Sequence, residues 1–264
     1  MDLGLEGKRA LVTGSTAGIG LATARLLAAE GASVVVNGRT ESRVAEAVDE
    51  IRRQVAGAQV SGVAADLGSA EGCQRVFERV REVDILVNNV GIFEPRPFEE
   101  IGDSDWLRFF AVNVMSGVRM SRRYLPGMRA RDWGRIVFVS SESGLQIPAE
   151  MIHYGMTKTA QIAVARGIAE TTAGSGVTVN SVLPGPTASE GVETFVRQMA
   201  EARGADFETM EREFFATARP SSLLKRFATP QEVASMIVYV CSAPAAATNG
   251  AALRVDGGVV RAIA

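Results

Sequence analysis

The chain has 264 residues, 47% hydrophobic and 22% charged, with a formal net charge of −2. It is long enough for one large domain over residues 1–264 with a sizeable core, and a charge so near zero gives no field for nucleic acid or an anionic membrane. Its two cysteines, Cys73 and Cys241, have no Cys or His neighbour at metal-ligand spacing, so no metal centre is expected and a reducing, cytoplasmic setting is the simplest.

In chain order, residues 1–6 lack the basic and apolar regions of a signal peptide. A first strand at 10–12 runs into Thr13-Gly14-Ser15-Thr16-Ala17-Gly18-Ile19-Gly20 and a helix over 19–30. The glycines let the backbone approach a pyrophosphate without a Cβ in the way, and the helix start offers N–H groups and a positive dipole end. Loops of this composition also occur without ligands; the place after a first strand favours a nucleotide. The second strand, 33–36, ends in Asn37-Gly38-Arg39-Thr40, with no carboxylate for a ribose diol. Arg39 is placed to pair with a 2′-phosphate, which favours NADP(H) over NAD(H); the alternative is a surface arginine opening the helix at 41–55.

A third strand, 60–64, precedes Asp66, placed for an adenine amino group, and a helix over 70–80. After a strand at 85–87, a helix over 106–120 carries Asn113 among apolar residues, as a core amide or as a water anchor on a proton path from Lys158. Basic residues from Arg119 to Arg131 read as a solvated face flanking a helix end. A strand at 135–140 ends at Ser140-Ser141, where a hydroxyl is placed to hold a substrate oxygen; Ser141 is preferred and Ser140 is the local competitor. The helix over 154–172 opens with Tyr154 and Lys158 at i and i+4, one of three tyrosines and one of three lysines in the chain. A desolvated ammonium beside a phenol is expected to lower its pKa from ~10 and make it a proton shuttle. His153, the single histidine, is expected on the helix surface or the pocket wall.

After a strand at 177–182 comes the segment 184–222, an amphipathic stretch holding Phe195, Met199, Phe207, Met210, Phe214 and Phe215. It reads as a substrate lid hinged at Pro184-Gly185-Pro186, the alternative being a fixed helical pair. The longest apolar stretch, 233–247, is interrupted by Ser235, Ser242 and Pro244 and is short of the ~20 residues a membrane span needs. A last strand lies at 252–255. Mostly apolar strands alternating with helices predict an α/β, doubly wound Rossmann-type fold, with a parallel sheet of about seven strands and helices on both faces.

Thr13 to Gly20, Asn88-Asn89-Val90-Gly91, Asn113, Ser141, Tyr154, Lys158, Pro184-Gly185 and Asp256-Gly257-Gly258 stand in an order and spacing that resembles the short-chain dehydrogenase/reductases over essentially the whole chain. The resemblance implies Tyr154 as acid/base, Lys158 as its tuner and a nicotinamide-ribose ligand, Ser141 as holder of the carbonyl, and Asn113 as fourth member. It implies cofactor contacts at Gly14, Ser15, Thr16, Gly18, Ile19, Gly20, Arg39, Asp66, Leu67, Asn88, Gly91, Tyr154, Lys158, Pro184, Gly185, Thr187 and Ser189, and a homotetramer or homodimer. Val90 replaces the family's usual alanine, and Ser189 stands where threonine is frequent. The general look is that of 3-oxoacyl carrier-protein reductases, but Ser175 occupies the place of their basic docking residue, against a carrier-protein substrate.

The expected activity is interconversion of a ketone and a secondary alcohol with NADP(H), on a small molecule. A catalytically silent nucleotide sensor or scaffold of the same fold is the second reading, disfavoured by the intact Ser141, Tyr154 and Lys158. An extended epimerase or dehydratase lacks chain for a substrate domain. The substrate pocket is expected to be lined by Phe93, Glu94, residues 142–147 and the 184–222 segment.

Overall fold

A computed structural model describes residues 1–189, 192 and 206–263. Part of the predicted lid, with Phe195 and Met199, lies outside the described residues. Apolar runs form the strands β1 (Arg9–Val12), β2 (Ser33–Gly38), β3 (Val60–Ala64), β4 (Ile85–Asn88), β5 (Gly134–Val139), β6 (Val177–Pro184) and β7 (Ala252–Val255). All pair in parallel in the order β3-β2-β1-β4-β5-β6-β7. β4, β5 and β6 are buried along their whole length, which is why they read as continuous apolar runs, whereas the edge strands β3 and β7 are partly exposed.

Among the described residues the α-helices are α1 (Gly18–Ala29), α2 (Glu41–Gln54), α3 (Ala70–Arg79), α4 (Asp103–Phe109), α5 (Ser116–Ala130), α6 (Ile152–Glu170), α7 (Phe207–Thr217) and α8 (Pro230–Cys241). One face of the sheet is covered by α1, α2 and α8 through Leu27, Ile51, Val233 and Ile237. The other is covered by α3, α5 and α6 through Val76, Met120, Met128 and Ala165. Both cysteines are buried in these layers and unpaired with each other. The strand order reverses between β1 and β4, which opens a crevice at their carboxyl ends.

Two expectations are corrected. The predicted helix over 106–120 is not uniform: α4 and α5 are joined by a widened, π-helical turn, Phe110–Met115. Such a turn changes which main-chain carbonyls are paired while leaving a similar apolar pattern. The basic residues from Arg119 to Arg131 lie along α5 rather than flanking its end.

Candidate active site

The crevice begins with the loop after β1. Gly14 and Gly18 take φ of +59° and +55°, a region that favours glycine. A Cβ on Gly20 would sit 2.5 Å from Asn89 Nδ2 and from the Gly14 carbonyl. Asn89 Nδ2 donates to the carbonyls of Thr13 (3.1 Å) and Gly14 (2.9 Å) and pins the loop against the end of β4. Ser15 Oγ donates to Val12 O at 2.6 Å and accepts from Asn37 N at 3.0 Å, tying the loop to β2. α2 and α3 are capped by Thr40 and Ser69, but α1 has no side-chain cap and no acid in its first turn. Its leading N–H groups are therefore left for an anion.

Beyond β2, Thr16 packs against Gly38 and Arg39 is exposed. Asp66 is exposed beyond β3, one carboxylate oxygen accepting from Gly68 N at 2.9 Å, while Leu67 is buried behind it. Asn88 turns away from the crevice and donates to Ser121 Oγ at 3.1 Å; Asn89 faces the cleft instead. This cradle, with its bare helix start and glycines that a Cβ would block, fits a dinucleotide.

A cleft of about 540 Å³ continues from it. Ile19, Gly91, Ser141, Tyr154, Lys158, Pro184, Gly185, Thr187 and Ser189 all border it. Ser140 and Ser141 separate clearly: Ser140 Oγ donates to the Lys158 carbonyl at 2.8 Å, away from the cleft centre, and Ser141 Oγ is oriented by Ser143 N at 3.1 Å. Lys158 Nζ lies 5.5 Å from the Tyr154 ring centroid and donates to Val139 O (3.0 Å) and Gln161 Oε1 (3.1 Å). Gln161 Nε2 in turn donates to the main-chain carbonyl of Asn113 at 2.6 Å. The Asn113 side chain donates to Ile92 O and Thr157 Oγ1 and accepts from Ile92 N, locking the β4 loop to α6.

Burial dominates the titration here. It pulls Lys158 down to about 7 and pushes Tyr154 up to about 12, the Ser141 hydroxyl acting against that rise. The expected lowering of the phenol by Lys158 is thus not realised in the cofactor-free protein, because desolvation outweighs an ammonium 5.5 Å away and bonded elsewhere.

Other placements differ from expectation. His153 is neither on the surface nor on the pocket wall; it is buried between α4 and α6, its ring centroid 4.0 Å from that of Phe109 and 6.0 Å from that of Trp106. Glu94 stands outside the cleft, paired with Arg96 and Arg108, and residues 144–147 do not line it. Ile92, Pro95, Glu150 and Met151 take those places. Gln161 went unnoticed in the sequence, although its i+3 spacing from Lys158 puts both on one helix face. Arg219, which lies on the cleft wall against Glu142 and Glu150, carried no motif.

Residues 8–200 match the family model for short chain dehydrogenase. The chain belongs to the short-chain dehydrogenase/reductase family. Uncharacterized oxidoreductase YvaG of Bacillus subtilis is 47% identical over 263 residues, covering 100% of both chains. The D-beta-hydroxybutyrate dehydrogenase of Cupriavidus necator is 36% identical over 260 residues, 97% of this chain and 99% of that one. Among solved structures, the L-sorbose reductase of Gluconobacter frateurii, complexed with NADPH and L-sorbose, superposes with a TM-score of 0.94 at 33% identity over 100% of both chains. This short-chain dehydrogenase/reductase is thus an oxidoreductase of a family acting on CH–OH groups, with nicotinamide cofactors in its structural relatives. No helix among its described residues is long and apolar enough to cross a membrane.

Proposed function

We propose that the protein interconverts a ketone and a secondary alcohol of a small molecule, with NADP(H) preferred over NAD(H). The observation that carries this reading is the convergence of Ser141, Tyr154 and Lys158 on one cleft that opens into the glycine-rich cradle. The nicotinamide, when bound, supplies or takes up the hydride at the substrate carbon. Ser141 donates a hydrogen bond to the substrate oxygen and fixes its position. A phenol raised to about 12 is protonated at neutral pH, so in reduction Tyr154 gives its proton to that oxygen as charge develops. Lys158 then faces the phenolate left behind. Gly14, Ser15, Thr16, Gly18, Ile19 and Gly20 would hold the pyrophosphate, Asp66 and Leu67 the adenine side, and Gly91, Pro184, Gly185, Thr187 and Ser189 the nicotinamide end. Arg39, exposed where β2 ends without an acid, would pair with a 2′-phosphate.

A silent sensor would have no use for a hydroxyl, a phenol and an ammonium set around one cleft. The residues 184–222 are read as a lid over the cleft, the chain as a homotetramer or homodimer, and the compartment as cytoplasmic. Two variants test the central reading. Tyr154→Phe is expected to keep NADPH binding, followed by nicotinamide fluorescence, and to lower ketone turnover at least ~10²-fold. Arg39→Ala is expected to weaken NADPH relative to NADH by roughly tenfold or more, the worth of a charge-assisted hydrogen bond. Near-full turnover by Tyr154→Phe would overturn the acid/base role, and equal loss of both cofactors would overturn the 2′-phosphate contact.

A further inference from the structure

Beside the proposed reacting centre the cleft wall carries an ion pair that hydride transfer does not require. Glu142 follows Ser141 directly, and its side chain is 4% exposed. Its Oε1 accepts from Arg219 Nε at 2.9 Å, and Arg219 Nη1 also donates to Glu150 Oε1 at 3.3 Å. Its Oε2 accepts from the Ser143 hydroxyl and, at 3.4 Å, from Ser141 Oγ. Glu142, Glu150 and Arg219 line the cleft together with Ser141 and Tyr154. Removing two charges from water is costly, and apolar residues of similar volume often fill such a space at least as well. Stability alone is a poor account of the pair.

Hydrogen-bond accounting points to a ligand. Ser141 has a single proton to donate, and it is within reach of both Glu142 Oε2, at 3.4 Å, and the Tyr154 phenol. When Ser141 turns that proton to a substrate carbonyl oxygen, Glu142 Oε2 loses a donor right beside the reacting oxygen. The two oxygens of an α-hydroxy ketone stand about one hydrogen-bond length apart, comparable with the 3.4 Å between Ser141 Oγ and Glu142 Oε2. A hydroxyl on the neighbouring carbon therefore fills the vacated place, whereas a simple ketone leaves Glu142 Oε2 with the Ser143 hydroxyl as its one remaining donor.

We propose that Glu142, anchored by Arg219, selects substrates with a hydroxyl on the carbon next to the reacting one: uncharged α-hydroxy ketones in one direction and vicinal diols in the other. This selection rests on Ser141 and Tyr154 meeting the reacting oxygen, as proposed above. The charge of the wall points the same way. Glu142 and Glu150 border the cleft, and Arg219 is already shared by both. A substrate carboxylate would meet like charges and a guanidinium that is engaged.

Matched short ketones with and without an α-hydroxyl, and the keto acid of the same length, are reduced with NADPH and compared by kcat/KM. The hydroxylated member is expected to lead its partner by at least ~10-fold, as one hydrogen bond to a charged group predicts, with the keto acid slowest. Glu142→Gln keeps the shape without the charge and is expected to lower that ratio by about fivefold or more. Should Glu142→Gln fail to bind NADPH, the Glu142→Gln/Arg219→Gln pair, which removes both charges of the buried pair and leaves only the half-exposed Glu150, is measured against the same wild-type ratio. A wild-type ratio near one with both ketones reduced, or a ratio unchanged in the variants, overturns the selection and leaves the reductase reading standing. NADPH binding with no ketone of either series reduced overturns both.

Discussion

Lys158 meets Asn113 through a third side chain. Gln161 accepts from the ammonium and donates to the Asn113 carbonyl, so its amide supports the charged form of a lysine that burial pulls down to about 7. Gln161→Leu removes that acceptor, and Lys158 is expected to fall by about one further pH unit, the equivalent of one charge-assisted hydrogen bond. The limb of the pH profile of ketone reduction that reports the ammonium then moves to lower pH, and Gln161→Glu moves it to higher pH. A role limited to packing would change thermal stability and leave the profile in place. Tyr154 and Lys158 were legible in the sequence because their coupling is a spacing on one helix. Gln161 shares that helix face at i+3 from Lys158, but its other partner is a main-chain carbonyl at a widened turn, which leaves no mark in side-chain pattern. The pKa of Tyr154 is not legible for a related reason: the sequence shows that an ammonium is near, but not that Val139 and Gln161 hold it.

At the scale of elements, all seven strands stood within about two residues of their predicted bounds, since burial on both faces writes them as apolar runs. The helix around Asn113 looks continuous in the sequence because a π-helical turn disturbs the period too briefly to show. α7 was legible only as an amphipathic pattern. Met210 and Phe215 are buried against Phe227 in a small cluster separate from both sheet cores, and Met210, Glu213, Phe214 and Thr217 border the cleft. Arg219, just beyond α7, ties this element to Glu142 and Glu150. An element with so small a core of its own belongs to the less stable part of the molecule. Amides of 207–217 are therefore expected to exchange faster than those of β5 and β6 in the free protein. They are expected to slow at least ~10-fold with NADPH and a ligand that is turned over, as closure over the cleft requires. Protection already equal to that of the central strands, and unchanged by ligand, would mean a fixed wall.

For the whole molecule, a net charge of −2 leaves little long-range field, so the proposed substrate discrimination rests on the few charges in the cleft. Phe98, Leu107 and Phe110 are exposed along and beside α4, an apolar surface that suits the proposed homo-oligomer. Leu107→Glu is expected to lower the sedimenting mass at a fixed micromolar concentration; an unchanged mass would move the contact elsewhere. Stability should also carry the signature of Lys158. Its pKa falls from 10.5 in the unfolded chain to about 7 in the fold, so between those values the unfolded state binds more protons. Stability therefore rises with pH across this window, by up to about 1.4 kcal/mol per unit, and is lost as pH falls toward 7. Other side chains interfere little in its lower half. The single histidine, His153, is pushed below 6.5, and Cys73, Cys241, Tyr124 and Tyr154 are all pushed up. Because those raised groups favour the folded state less as they approach ionisation in the unfolded chain, they turn the curve down again above pH 9–10. In the cofactor-free protein the melting temperature is expected to climb by roughly 2–5 °C per unit just above neutrality. Lys158→Met removes the titrating group and should flatten that climb whatever it does to absolute stability, and an unaltered slope would show that Lys158 is not the group buried at a cost.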